Sequence, residues 1–80
     1  MTTLNIENKA RIIGMGGKEW VKNGMDRVYI SCAILNVLRA EKELAQVNYS
    51  ESSNKMFFDT EKNAVMRSYK GKAPVLELAI

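Results

Sequence analysis

The chain has no histidine, a single cysteine and a single proline among its 80 residues, and each shortage removes a class of function. Without histidine, most nucleophile–base pairs and the commonest metal ligand are gone. Cys32 has no partner within the chain for a disulfide, and it cannot build a zinc site without histidine or several carboxylates beside it. Its place in an apolar run predicts a buried thiol instead. No apolar run approaches the roughly 18 residues that a membrane span requires, and no charged-then-apolar leader opens the sequence. The expectation is a cytoplasmic protein without membrane contact, in which the sequon Asn48-Tyr49-Ser50 carries no weight because glycosylation requires secretion.

Phosphate and nucleic-acid signatures are missing as well. Gly14-Met15-Gly16-Gly17-Lys18 lacks the spacing of a P-loop, and Glu19 stands where Ser or Thr should follow the lysine. There is no aromatic RNA-recognition signature, no GXXG clamp, and no pair of helices for a helix-turn-helix. Asp59 and Asn63 lack the glycine and the further oxygen ligands of a calcium loop. No catalytic residue, cofactor or metal is expected, and an enzyme ranks behind a binding protein.

What is present suits one small folded domain spanning residues 1–80. Hydrophobic residues make up 46% of the chain, enough to argue against disorder throughout. A chain of 80 residues lies near the lower end of sizes that bury a self-sufficient core. A homodimer would ease that problem, although no residue pattern demands one. The net charge of +3 is a mild basic bias, and it is unevenly placed. Residues 1–30 carry five basic and three acidic side chains, residues 55–80 again five and three, and residues 31–54 two and three. Positive charge therefore falls on the predicted strands.

The stretch Lys9–Ile30 organises the reading. Gly16-Gly17 separates ARIIGM from KEWV, and Asn23-Gly24 separates KEWVK from MDRVYI. Both pairs suit two-residue primed turns, so a three-stranded antiparallel meander is expected, with residues 1–8 a frayed terminus or short edge strand. The implied register sets Met15 opposite Lys18, Ile13 opposite Trp20, Trp20 opposite Arg27, Lys18 opposite Tyr29 and Lys22 opposite Met25. Strand alternation then gathers Arg11, Ile13, Met15, Lys18, Trp20, Lys22, Met25, Arg27 and Tyr29 on one face, with aromatics and bases interleaved and no acid. The other face collects Ala10, Ile12, Gly14, Glu19, Val21, Asp26, Val28 and Ile30.

Ser31 stands at a helix N-cap position, and SCAILNVLRAEKELAQ continues with good helix formers. Its apolar arc comprises Ala33, Ile34, Val37, Leu38, Ala40, Leu44 and Ala45, with Leu35 towards the polar side. Glu41 falls inside that arc, so its carboxylate must be paired or overhang the sheet; a buried general base is the less favoured reading. VNYSESSN is a connector, KMFFD and AVMRSYK form a hairpin around residues 60–63, and VLELAI closes as a strand. A helix beginning at Pro74 is the alternative for that last segment. In it Leu76, Leu78 and Ile80 are expected to point inwards.

The fold class expected is α+β: an antiparallel sheet of five to six strands, comprising the N-terminal meander and the C-terminal hairpin plus final strand, with one helix on one face. The binding face expected is Arg11, Met15, Lys18, Trp20, Lys22, Met25, Arg27 and Tyr29. Its methionines and tryptophan suit a protein-interaction or inhibitory module, of the kind carried by phages and mobile elements. The alternative is weak, sequence-tolerant binding of single-stranded nucleic acid on the same basic and aromatic face.

Overall fold

The computed structural model describes residues 2–80 as an α+β fold with two helices and one open five-stranded antiparallel sheet. The order is α1 (Thr3–Gly14), β1 (Lys18–Lys22), β2 (Met25–Ile30), α2 (Cys32–Ala40), β3 (Asn54–Asp59), β4 (Ala64–Tyr69) and β5 (Val75–Ala79). The strands lie side by side in sequence order, β1-β2-β3-β4-β5.

The first segment corrects the expectation: it is a helix, and the three-stranded N-terminal meander is a two-stranded hairpin. Thr2 caps α1, its hydroxyl accepting from the Asn5 amide at 3.3 Å. Residues 3–8 are thus helical rather than frayed. Gly16, at φ 110°, ends the helix instead of turning a hairpin. Gly17 lets the chain pass tightly over β2, since a Cβ there would lie 2.5 Å from Val28 Cγ1 and 3.0 Å from the Ile12 carbonyl oxygen. The second turn is as expected. Asn23 and Gly24 have φ of 53° and 78°, and the register Lys18↔Tyr29, Trp20↔Arg27 and Lys22↔Met25 follows from it.

Both helices lie on the same face of the sheet. Ile12 of α1 and Ile34, Leu35 and Leu38 of α2 join Val28, Ile30, Met56, Phe58, Val65 and Leu78 in one buried cluster. Each fully buried side chain of this size contributes about 1.5–3 kcal/mol. Ser31 caps α2 as expected, its hydroxyl accepting from the Ile34 amide at 3.2 Å. The helix stops at Ala40 rather than continuing to residue 46. Glu43 turns left-handed at φ 58°, and the chain folds back along the helix. Asn36 holds Val47 in both directions at 2.9 Å, and Arg39 Nε donates to the Ala45 carbonyl at 2.8 Å. The face turned to the sheet is Ile34, Leu35 and Leu38, so Leu35 is buried and Val37 is exposed, the reverse of the helical-wheel reading.

Polar contacts secure what the small core does not. Asn5 Nδ2 donates to the carbonyl oxygens of Thr60 and Glu61 at 2.8 and 3.3 Å, and Asn8 Nδ2 to Asn63 Oδ1 at 2.9 Å. Lys9 Nζ lies 2.6 Å from Glu19 and 2.8 Å from Asp26, and these hydrogen bonds raise its pKa above the ordinary lysine value, Asp26 contributing most. The last segment is a strand, with an irregularity opposite Val65/Met66 that sets Val65 against Leu78 and Met66 against Leu76. The bulge turns Leu76 outwards, against expectation, while Leu78 stays in the core. Among the described residues, no helix is long and apolar enough to cross a membrane.

Candidate binding face on the open side of the sheet

With both helices on one side, the opposite face of the sheet carries neither of them. Strand alternation places Lys18, Trp20 and Lys22 of β1 there, with Met25, Arg27 and Tyr29 of β2. These are six of the eight residues expected to share a binding face. The remaining two do not lie on strands, because α1 is a helix, although Met15 still lines the groove at the end of this face beside Lys18 and Trp20. Arg11 pairs with Glu41 at 2.8 Å, both side chains about half exposed, and Met15 caps the end of α1 and packs against the core. Glu41 is consequently a paired residue at the end of α2 and not a buried base.

Register with β3 adds residues that the sequence reading missed. Tyr29 faces Phe57 and Arg27 faces Asp59, so Lys55, Phe57 and Asp59 join the face. Period-two spacing in KMFFD puts these three on one side, but choosing that side requires knowing that β3 lies against β2. The near part of the face then holds four cationic side chains, Lys18, Lys22, Arg27 and Lys55, against one acid, Asp59.

The rings form a continuous row. Trp20 and Tyr29 meet edge to face with centroids 6.3 Å apart, and Tyr29 and Phe57 are tilted at 5.4 Å. Arg27 threads this row, its guanidinium carbon 4.1 Å from the Phe57 centroid and 5.7 Å from that of Trp20. Its Nη1 donates to the Tyr29 hydroxyl at 3.3 Å, and its buried Nε has no hydrogen-bond partner among the described residues. Phe57 is only 2% exposed beneath this cover, so Trp20 and Tyr29 are the rings offered to a ligand.

At the end of the row the sheet opens into a groove of ≈ 910 Å³, between the turn after α1 and the start of α2. Met15 and Ile34 supply apolar wall, Trp20 and Tyr29 aromatic wall, and Lys18 and Lys55 charge. Glu51 lines it too, its carboxylate accepting from the Cys32 amide at 3.0 Å and so occupying the start of α2. Cys32 is half-buried and its thiol donates to the Val47 carbonyl at 3.4 Å. Among the described residues, no group of three or more His, Cys, Asp or Glu side chains is placed to hold a metal ion. Compared with protein-family models, curated proteins and solved structures, the chain matches none of them.

Proposed function

We propose that the chain is a non-enzymatic binding module whose open sheet face holds single-stranded nucleic acid without strong sequence preference. One observation carries the reading: a row of aromatic rings threaded by Arg27 lies on a sheet face that neither helix covers, with lysines on both sides of it. Bases stack on exposed rings whatever their identity, and lysines along the row meet the phosphates. Beyond the residues expected from the sequence, β3 contributes a further lysine, Lys55, to this face.

A protein partner is the second reading, supported by the cover over Phe57. Arg27 closes that ring to bases, leaving Trp20 as the large anchor with Met25 nearby, as in a protein interface hot spot. Trp20 is the single tryptophan, so a fluorescence titration separates the two. With single-stranded oligonucleotides at low salt, indole stacking quenches emission, and affinity falls with salt by a log–log slope of about −0.7 for each phosphate contact. Absence of quenching by any oligonucleotide at low salt overturns the nucleic-acid reading and leaves the protein partner.

A further inference from the structure

The two rings that the open face offers stand almost at right angles. Trp20 and Tyr29 meet at 84° with centroids 6.3 Å apart, and both are half-buried. A base laid on each ring takes that ring's plane, so two neighbouring bases held here are themselves nearly perpendicular. In a stacked strand neighbouring bases are parallel, at a rise of about 3.4 Å as in duplex DNA. A strand cannot keep that stack and use both rings.

The surroundings set where the strand bends. On β1, Lys18 and Lys22 flank Trp20 on the same face, about 13 Å apart along the strand. Lys18 lies opposite Tyr29, where the face ends and the groove begins. Both rings line that groove, with Met15 and Ile34 as apolar wall and Lys55 on the β3 side. A nucleotide on Trp20 thus has a cation for the phosphate at each end, and the next base passes Lys18 and turns against Tyr29 into the groove. The groove's one acid, Glu51, is engaged by the Cys32 amide. Phe57 cannot straighten this path, since Arg27 covers it.

We propose that this corner selects single strands whose bases stack weakly on one another, pyrimidine-rich strands of thymine or uracil, over adenine-rich ones. The inference rests on the open face being a nucleic-acid site, and it adds the class of strand that the face takes. Phosphate contacts to Lys18, Lys22 and Lys55 are the same for every strand. The difference is the cost of separating two adjacent bases at the corner. Purines, with two fused rings, lose a large overlap and pyrimidines a small one. A purine overlaps Trp20 more fully in return, but Tyr29 is a single ring and offers it no more area than it offers a pyrimidine. The preference is for composition and not for order, because ring faces carry no donors or acceptors with which to read a base edge.

Quenching of Trp20 by decamers of thymidylate, deoxyuridylate and deoxyadenylate, titrated at one low salt concentration, tests this. The two pyrimidine decamers are expected to bind the unaltered chain about fivefold more tightly than the adenine decamer, equivalent to about 1 kcal/mol. The gap is expected to narrow on warming, as heat unstacks the adenines. In Tyr29→Leu, which keeps an apolar strand residue but removes the second ring, the affinities are expected to fall within about twofold of each other or to favour adenine. Adenine binding the unaltered chain as tightly as thymine, deoxyuridylate grouping with adenine, or a preference undiminished in Tyr29→Leu overturns the inference and leaves the open face a nucleic-acid site. Absence of quenching by all three decamers overturns that reading and this inference together.

Discussion

Arg27 rests on Phe57, guanidinium carbon 4.1 Å from ring centroid, although its cross-strand neighbour is the carboxylate of Asp59. The arginine is held by a ring face and by the Tyr29 hydroxyl, and it covers an aromatic that would otherwise open to water. Truncation removes both the cation–π contact and the aliphatic cover. Arg27→Ala is expected to cost about 1–2 kcal/mol in a denaturant melt. Arg27→Lys is expected to recover only part of this, since an ammonium lacks the planar stacking surface. An unchanged midpoint in both variants would show that the stack contributes nothing to stability.

The turn at Asn23-Gly24 positions Trp20 opposite Arg27, because both of its central residues have positive φ. Asn23→Ala/Gly24→Val is expected to destabilise by about 1–3 kcal/mol, since β-branched valine and alanine resist that region. The check is a shift of the denaturation midpoint at constant m-value.

Two other glycines are expected to respond with opposite signs. At Gly17 a methyl group would meet Val28 Cγ1 at 2.5 Å and the backbone of Ile12 at 3.0 Å, whereas at Gly14 nothing lies within 4 Å. Gly17→Ala forces α1 off β2 and is expected to cost about 1–3 kcal/mol. Gly14→Ala, at the end of a helix, is expected to gain up to about 1 kcal/mol. Thermal melts of both variants check the pair.

These glycines also explain where the sequence misled. Gly16-Gly17 between apolar segments resembles a hairpin turn, but here it combines a helix stop with a close packing contact. Helical periodicity in α1 is faint because Ile12 is its only buried apolar residue. Its inner face is otherwise Asn5 and Asn8, reaching loop backbone and a loop side chain, while Leu4, Ile6 and Ile13 face out. The legible signals were the Thr2 cap and the helix formers from Glu7 to Arg11. By contrast, β1, β2 and the β3–β4 hairpin were legible because turn chemistry fixes their register locally. Six of the face residues followed from that register. Lys55 and Phe57 did not, because the pairing of β2 with β3 spans a helix and a long connector.

Lys9 provides a pH signature for the docking of α1. Hydrogen bonds from Asp26 and then Glu19 raise its pKa above 10.5, so its ammonium is favoured by folding. The resulting stability is fully present below the ordinary lysine pKa of about 10.4 and is lost as pH rises through the higher folded value. Lys9→Met is expected to cost about 1–3 kcal/mol at pH 7, with two carboxylates left without their partner. The gap between this variant and the unaltered chain is expected to stay flat up to about pH 10 and to shrink above it. Denaturant melts across pH 7–11.5 measure both; a gap that is unchanged at the alkaline end would mean that the ion pairs do not stabilise the helix.

The lysines around the aromatic row distinguish a phosphate-tracking face from a chance cluster of charge. Lys18, Lys22 and Lys55 lie on the open face, whereas Lys62 lies in the β3–β4 loop. If a single strand runs along the rings, Lys18→Ala, Lys22→Ala and Lys55→Ala should each reduce the salt slope of oligonucleotide binding by about 0.7. Lys62→Ala should leave the slope alone while removing the same unit of net charge. Trp20→Ala should weaken binding with little change in slope, because stacking releases no counterions. Equal effects from all four lysines would mean that binding answers to net charge and not to this face.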